Sequence, residues 1–157
     1  MQDQQTLDTI KVFLTELFEK LGVTGKITFP KVSEDAEDLI KVEIDSEDSN
    51  LLIGYHGDTL NALQHILNVM MFREYQKSFK IVLDVSSYRK EREEKLIELA
   101  ISAADKARFI NKSVALYPMN SYERKIIHEK IGELDGVTSE SEGEGYNRRV
   151  IIVPEGN

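Results

Sequence analysis

The chain has 157 residues, of which 41% are hydrophobic and 31% are charged, and its formal net charge is −8. This composition is typical of a folded protein with one ordinary domain or two small ones, and it excludes a disordered chain. No apolar run approaches the ~18 residues that cross a bilayer, and zero cysteines exclude disulfides and thiolate metal sites. We therefore expect a cytoplasmic protein with no membrane insertion, no metal and no cofactor.

The negative charge is concentrated near the N-terminus. Residues 1–50 contain 5 Lys and Arg against 12 Asp and Glu, whereas residues 86–157 contain 12 against 13. Because salt screens exposed charges beyond ~8 Å, the C-terminal part can still carry a locally basic site. An acidic chain of this kind is expected to bind nucleic acid weakly and selectively, without a broad electrostatic attraction.

The first 85 residues predict the order α-β-β-α-α-β. Apolar residues that step by three and four predict a first helix that ends at Gly22; they are Leu7, Ile10, Leu14, Leu17 and Leu21. Two strands are predicted at residues 26–29 and 40–44, with an acid-rich loop at 33–38 between them. The apolar triplet at 51–53 and the loop at 54–57 come next, followed by a helix that begins at Asp58 or Thr59 and a strand at 79–85. The predicted apolar face of that helix consists of Leu60, Leu63, Ile66, Leu67 and Met70.

The C-terminal part opens with a predicted helix from Tyr88 to about Ile110. Its first turns are heavily charged, and their mixed signs are typical of a solvated helix face. No segment rich in Gly, Pro or Ser precedes it, so a second domain is expected to begin with this helix. Its predicted apolar side consists of Leu96, Leu99, Ala100, Ala103 and Ala107.

A short strand, a capped helix and a hairpin are predicted after the long helix. The strand lies at residues 114–116. Asn120 with Glu123 three residues later predicts a capping box at the start of the next helix. Residues 137–141 and 148–153 flank a turn and predict a β-hairpin.

A glycine loop, Gly54-Tyr55-His56-Gly57, lies between an apolar triplet and a predicted helix. Glycines allow a ligand to approach the backbone closely, and the N–H groups at a helix start attract phosphate. Two glycines three residues apart also mark many ordinary turns. The loop by itself leaves a phosphate site and a plain turn equally open.

Arg124 and His128 lie four residues apart on a predicted helix and therefore face the same way. Two donors on one patch suit an anionic oxygen, and a phosphate is the simplest source of that oxygen. The alternative is a structural pair in which His128 bonds to a backbone carbonyl. Lys125 adjoins Arg124, and the basic pair Arg148 and Arg149 follows an acidic glycine turn.

Several segments resemble a known family when they are taken together and in order. The glycine loop and the α-β-β-α-α-β order resemble the type II KH domain, in which such a loop clamps the backbone of about four nucleotides. Residues 120–128 and 141–150 resemble the domain named for its Arg-x-x-x-His motif, the R-three-H domain of single-stranded nucleic-acid-binding proteins. Over residues 5–153 the chain resembles the Jag family, the SpoIIIJ-associated bacterial RNA-binding proteins. Many Jag-like loops carry Lys or Arg between the glycines, where this chain has Tyr55 and His56.

The residues and the resemblance together predict an α+β fold, with a type II KH-like domain at 1–85 and a small α+β R-three-H domain at 86–157. They predict a regulator without catalytic activity that binds single-stranded RNA, with single-stranded DNA as the alternative ligand. The predicted RNA-binding residues are Gly54, Tyr55, His56, Gly57, Arg124, Lys125, His128, Arg148 and Arg149.

Two other functions remain alternatives. A protein-interaction scaffold would pair through its KH-like half with another KH protein or with itself, and the resemblance suggests such pairing and a role in regulating the cell envelope or division. A hydrolase would need a Ser/His/Asp arrangement or metal-ligand spacing, and three scattered histidines supply neither.

Overall fold

The computed structural model describes residues 4–31 and 39–155, so the acid-rich loop predicted at 33–38 lies outside the described residues. The chain divides into two compact units, Met1–Arg89 and Lys90–Asn157. Each unit has its own hydrophobic core and contains both helices and a small sheet. The predicted α+β class is therefore confirmed.

The first unit has the α-β-β-α-α-β order that the sequence predicts. Its elements are α1 (Gln4–Leu21), β1 (Lys26–Thr28), β2 (Leu39–Asp45), α2 (Ser49–Ile53), α3 (Asp58–Tyr75) and β3 (Lys80–Val85). In the sheet, β2 lies in the middle, antiparallel to β1 and parallel to β3. A parallel pair needs a long crossover connection, which α2 and α3 supply.

The core of the first unit follows from periodicity. In β2 every second side chain is buried, namely Ile40, Val42 and Ile44, because successive side chains of a strand point to opposite faces. α1 buries Leu14 together with Ile10 and Phe18, each four positions away, as a helix face requires. Its last predicted face residue, Leu21, is half exposed, whereas Phe18 is buried instead.

The predicted apolar face of α3 is correct in three positions and wrong in two. Leu60, Leu63 and Leu67 are buried as predicted, but Ile66 and Met70 are exposed, and Met71 occupies the core position. Steps of three and four from Leu60 lead to Met71 along one stripe of the helix. Residues 66 and 70 each precede a buried position by one residue, which turns them about 100° around the axis, away from the sheet.

The second unit contains two helices and an antiparallel sheet. Its elements are α4 (Tyr88–Ile110), β4 (Val114–Ala115), α5 (Ser121–Gly132), β5 (Val137–Glu142) and β6 (Arg149–Pro154). The first two residues of α4 belong to the first unit. β6 lies between β4 and β5, and the β5–β6 pair is the predicted hairpin. α4 buries the predicted side except Leu99, which is partly buried, and Ala104 is buried in addition.

The charged start of α4 is solvated only in part. Lys90 and Glu91 are exposed as expected for a solvated face. Arg89 is instead bonded within the first unit, where its Nε donates to the Leu83 carbonyl at 2.9 Å and its Nη2 donates to Gln64 Oε1 at 2.9 Å. The interpretation as a plain solvated face is therefore wrong for this arginine.

A buried ion pair joins α4 to α5 in the second unit. Arg92 Nε donates to Glu123 Oε1 at 2.7 Å, and the two side chains are only 16% and 3% exposed. Half of the predicted capping box is present, since Asn120 Oδ1 accepts from the Glu123 backbone N–H at 3.0 Å. The Glu123 carboxylate bonds to Arg92, since a buried charge without a partner would be strongly destabilising.

Within the two ranges that the structure describes, none of the helices combines the length and apolar character that a membrane span requires.

Candidate nucleic-acid interface

The glycine loop of the first unit is a single 3-10 turn between α2 and α3. It begins where the Gly54 N–H donates to the Asn50 carbonyl at 3.0 Å, and it ends at Gly57, directly before α3. The residue at the N-terminal end of α3 is thus a glycine, which has no side chain to cap the helix. The first N–H groups of a helix lack intrahelical acceptors, so an anion at this end would meet backbone donors.

Both glycines of the loop are required by the structure. Gly54 has φ 71° and ψ −166°, a region that is essentially restricted to glycine, and a Cβ at this position would overlap the Thr59 side chain. Gly57 has φ 84°, and a Cβ there would lie 3.0 Å from the Tyr88 ring. The loop is therefore held in one shape by α3 on one side and by the start of α4 on the other.

The two residues between the glycines differ in exposure. Tyr55 is 75% exposed, while His56 is partly buried and adopts a left-handed backbone conformation with φ 50°. Their rings meet edge to face, with centroids 4.0 Å apart. An exposed ring of this kind can stack against a base, and the loop carries no lysine or arginine.

In the second unit, Arg124 and Arg148 are anchored to the same residue. Arg124 Nη1 donates to the Met119 carbonyl at 2.8 Å, and the Met119 N–H donates to the Arg148 carbonyl at 3.1 Å. Arg148 Nη1 in turn donates to the Gly143 carbonyl at 3.2 Å. The start of α5 and the backbone of the hairpin at Arg148 are thus brought together through Met119, while the Arg148 guanidinium is held at the hairpin turn.

His128 lies between two hydroxyl groups of β5. Its Nδ1 is 2.7 Å from Ser139 Oγ, and its Nε2 is 2.8 Å from Ser141 Oγ. A neutral imidazole has one donor and one acceptor nitrogen, and a hydroxyl can serve as either partner, so both neutral tautomers are satisfied here. Burial lowers the pKa of His128 below its ordinary value, and the positive charge of Arg124 lowers it further.

These contacts give different roles to Arg124 and His128, which the sequence predicted to act as a pair. The structural alternative placed His128 on a backbone carbonyl, but its partners are serine hydroxyls, and the residue that binds a carbonyl is Arg124. Because the pKa of His128 is lowered, this side chain offers hydrogen bonds at neutral pH rather than positive charge. Positive charge on this face comes from the arginines.

The remaining predicted basic residues are paired at the surface. Lys125 Nζ lies 3.5 Å from Glu129 Oε1, and Arg149 Nη2 lies 3.7 Å from Glu142 Oε2. Exposed pairs of this kind are weak and are easily exchanged for another anion. Either cation can therefore turn to a phosphate at little energetic cost.

The sequence reasoning missed three side chains of this face. Ser139 and Ser141 alternate with exposed residues from Val137 onward, and this spacing could have placed their hydroxyls on the face of β5 that meets α5. Tyr146, at the turn of the hairpin, is fully exposed. A solvated tyrosine next to basic residues is a typical stacking group for single-stranded nucleic acid.

Two family models match the chain in the order of its two units. The model described as "KhpA/KhpB, KH domain" matches residues 8–85, and the model of the R-three-H domain matches residues 94–154. The fold and the arrangement of the site thus define a protein in which a KH domain is followed by an R-three-H domain.

Curated relatives share both parts. The chain is 33% identical to the RNA-binding protein KhpB of Clostridium symbiosum over 140 residues, which is 89% of this chain and 62% of that protein. It is 33% identical to the RNA-binding protein KhpB of Bacillus subtilis over 144 residues, 90% of this chain and 67% of that protein. The protein of the same name from Lactiplantibacillus plantarum is 36% identical over 42% of its length. The chain belongs to the KhpB (Jag) family, and it spans about two fifths to two thirds of the length of these relatives.

Proposed function

We propose that this chain is a non-catalytic binder of single-stranded RNA, with its KH unit and its R-three-H unit acting as two domains on one strand. The observation that carries the proposal is the contact of Met119 with both arginines, since its carbonyl accepts from the Arg124 guanidinium and its N–H donates to the Arg148 backbone carbonyl. The relatives that bear the name RNA-binding protein KhpB support the same ligand. A role on RNA also predicts a location in the cytoplasm.

In the R-three-H unit, the arginines are proposed to hold phosphate. A guanidinium has five N–H donors in a planar fork, and Arg124 directs one Nη1 donor at the Met119 carbonyl. That contact fixes the orientation of the fork and leaves the other donors for two phosphate oxygens. Lys125 and Arg149 would add charge by exchanging their surface partners, and Tyr146 would offer a ring to a base.

In the KH unit, backbone and aromatic groups are proposed to replace positive side chains. Gly54 and Gly57 allow the strand to approach the N-terminal end of α3, where backbone donors attract phosphate. Tyr55 would stack on a base. Because this loop carries no fixed positive charge, we expect it to bind more weakly than the R-three-H unit and to depend less on salt.

Two weak sites on one chain predict a dependence on strand length. Each site alone is expected to bind with a dissociation constant of roughly 10 to 1,000 μM, weaker than the about −8 kcal/mol of a micromolar complex. A strand held by one site presents itself to the other at an effective concentration that reaches the millimolar range. The full chain should therefore bind long strands at least about tenfold more tightly than short ones.

The test uses fluorescence anisotropy of labelled strands at several salt concentrations. Arg124→Ala should weaken all sequences about equally, because phosphate contacts carry no base information. The log–log salt slope should flatten by about 0.7 for one lost single-strand phosphate contact. Lys106→Ala, which removes one exposed charge from α4, is the matched control and should leave the affinity nearly unchanged.

Three results would contradict this proposal or a part of it. If the wild-type chain binds no single-stranded RNA or DNA at any salt concentration, the assignment is wrong. If Arg124→Ala binds as well as the wild type while keeping its melting temperature, the R-three-H face does not hold phosphate. Equal affinities for strands of four nucleotides and of much greater length would exclude the two-site arrangement.

A second candidate function, pairing with another KH domain or with a second copy, is favoured by one surface of the first unit. A cleft of about 550 Å³ lies between α1 and α3, and its borders include the exposed side chains of Val12 and Met70. Ile66 and Val69 add further exposed apolar area on α3, and contiguous patches of this kind often mark interfaces. Light scattering of the wild type and of Val12→Asp, with and without RNA, would measure pairing independently of RNA binding.

A further inference from the structure

A hydrogen-bonded network of three side chains, His128, Ser139 and Ser141, joins α5 to β5 in the R-three-H unit. Ser139 Oγ lies 2.7 Å from Nδ1 of the imidazole, and Ser141 Oγ lies 2.8 Å from Nε2. The two serines alternate along β5, so both hydroxyls lie on the same face of the strand. All three side chains are partly exposed, so a ligand can reach them.

This serine–histidine network has hydrogen-bonding capacity left for a ligand. Burial lowers the pKa of His128, so at neutral pH its ring is neutral and has one N–H donor and one acceptor nitrogen. One serine therefore accepts from the ring and the other donates to it. The accepting serine keeps its own O–H, and the donating serine keeps its lone pairs. Over residues 4–31 and 39–155, neither serine hydroxyl has a second hydrogen-bond partner.

Ser141 is the member of the network that lies toward Arg124. The end of α5 and the start of β5 line one cleft, to which Ile131 and Val137 belong. β5 therefore runs back along α5, and its later residues lie nearer to the start of that helix. Arg124 precedes His128 by about one helical turn, roughly 6 Å, and its charge contributes to lowering the pKa of His128.

The hairpin turn brings a second guanidinium close to Ser141. The Gly143 carbonyl, two residues after this serine, accepts from Arg148 Nη1 at 3.2 Å. Ser141 thus has positive charge near it from the hairpin as well as from α5. The 2′-carbon of a nucleotide lies between two successive phosphates of the strand, so a group that contacts a 2′-hydroxyl must lie directly beside the groups that hold phosphate.

A ribose hydroxyl is the ligand group that matches an uncharged network at this place. A phosphate is bound more strongly by the arginines, whose hydrogen bonds are assisted by charge. A 2′-hydroxyl is both a donor and an acceptor, so it can bond to Ser141 whichever tautomer the His128 ring adopts. Deoxyribose lacks this group and would leave the spare capacity of the serine unused.

We propose that Ser141 binds the 2′-hydroxyl of the ribose beside the phosphate held by Arg124, and that this contact makes the R-three-H unit select RNA over DNA. His128 and Ser139 are positioning residues, which orient the Ser141 hydroxyl. The proposal rests on the proposed RNA-binding function and adds discrimination between ribose and deoxyribose.

The experiment measures fluorescence anisotropy of the full chain with three labelled oligouridine strands that differ only at the 2′ position. This position carries a hydroxyl group, fluorine or hydrogen. Fluorine preserves the sugar conformation of RNA but cannot donate a hydrogen bond, so the hydroxyl and fluorine strands isolate the hydrogen bond from the shape of the strand. The wild type should bind the hydroxyl strand about tenfold more tightly than the fluorine strand, a factor typical of one hydrogen bond.

Three variants locate the source of this preference. Ser141→Ala should bind the hydroxyl and fluorine strands equally, and Ser139→Ala should reduce the ratio of the two affinities in part, because His128 loses one of its two bonds. The matched control is Ser102→Ala/Ser113→Ala, which removes two exposed hydroxyls of the same unit outside the network and should keep the full ratio. Melting temperatures show whether each variant is folded, and the wild-type ratio tests the proposal without any substitution.

The possible outcomes separate this proposal from the function on which it rests. If the wild type binds the hydroxyl and fluorine strands equally while Arg124→Ala weakens both, the phosphate face stands and the 2′-hydroxyl site is wrong. If folded Ser141→Ala keeps the wild-type ratio, the serines only connect β5 to α5 and the proposal is overturned. If no strand binds, both proposals fall.

Discussion

The two candidate sites of this chain are built from different parts of the polypeptide. The site of the KH unit consists of backbone, shaped by Gly54 and Gly57 and by the helix that begins directly after them. The site of the R-three-H unit consists of side chains, which are oriented by Met119 and by two serines of β5. We therefore expect the first site to be lost when a side chain is added and the second to be lost when one is removed. The following predictions test this difference, beginning with the largest effect.

The largest effect is expected from the buried ion pair of the R-three-H unit. Glu123→Gln should lower the free energy of unfolding by about 3 kcal/mol, because it neutralises a buried carboxylate that accepts from Arg92. Glu129→Gln breaks an exposed pair on the same helix and should cost about 0.5 kcal/mol or less. Urea unfolding measures both. Equal costs would mean that the α4–α5 pair does not support the face that carries Arg124.

A side chain at the first glycine should be the next most damaging change. Gly54→Ala should destabilise the KH unit by about 1–3 kcal/mol, because the backbone conformation is glycine-specific and the new Cβ would overlap Thr59. Gly22→Ala is the control, since Gly22 also has a positive φ but open space around its Cα. In thermal unfolding, the melting temperature of Gly54→Ala should lie well below that of Gly22→Ala. The opposite ranking would show that the loop relaxes freely.

Added negative charge in the loop should lower the affinity for RNA and leave stability unchanged. In Tyr55→Asp/His56→Asp two carboxylates would stand beside a bound phosphate, with a repulsion of about 1 kcal/mol for each charge at 4 Å in water. Asp tolerates the left-handed conformation of residue 56. Thr15→Asp/Ser78→Asp adds the same charge to exposed positions of the same unit and should bind RNA normally. Unchanged affinity of the loop variant would identify the glycine loop as a structural turn only.

The smallest effect concerns the protonation of His128. Its pKa is lowered in the folded chain, so the unfolded chain, with an ordinary pKa of about 6.5, binds the proton more readily. Stability from this residue is therefore fully present above about pH 6.5 and is lost as the pH falls below that value. His128→Gln should remove this part of the pH dependence. Melting temperatures of the wild type and of His128→Gln between pH 7.5 and 5 measure this pH dependence. If the two proteins lose stability in parallel as the pH falls, His128 is not its source.

The local features of the fold were predictable from the sequence. Periodicity gave the bounds of α4, from Tyr88 to Ile110, and the order of elements in the first unit. It failed at Ile66 and Met70, because an apolar residue beside a buried stripe has the same hydropathy as one within it. Which side of α3 meets the sheet is decided by packing, and packing is not visible in a single helix.

The candidate site was predictable in its residue types but not in its connections. The spacing of Arg124 and His128 was sufficient to place them on one face of a helix. Their partners lie elsewhere in the chain, His128 between hydroxyls of β5 and Arg124 on a carbonyl before its own helix. Glu123 shows the same limit, since the local pattern assigns its side chain to a helix cap and the tertiary fold assigns it to Arg92.

The parallel pairing of β2 with β3 has a consequence for the order in which the chain folds. Leu39 pairs with Lys80 only after a loop that contains α2 and α3 has closed, whereas Glu142 pairs with Arg149 across one short turn. Non-local pairing slows folding, because the entropy of closing the loop is lost before the contacts form. We therefore expect the R-three-H unit to fold faster than the KH unit, so stopped-flow refolding should show two phases. Gly54→Ala should lower the rate or the amplitude of the slower phase only. During synthesis the KH unit, which is expected to fold more slowly, leaves the ribosome before the R-three-H unit. One edge of its central strand, β2, stays uncovered until residues 80–85 have been synthesised.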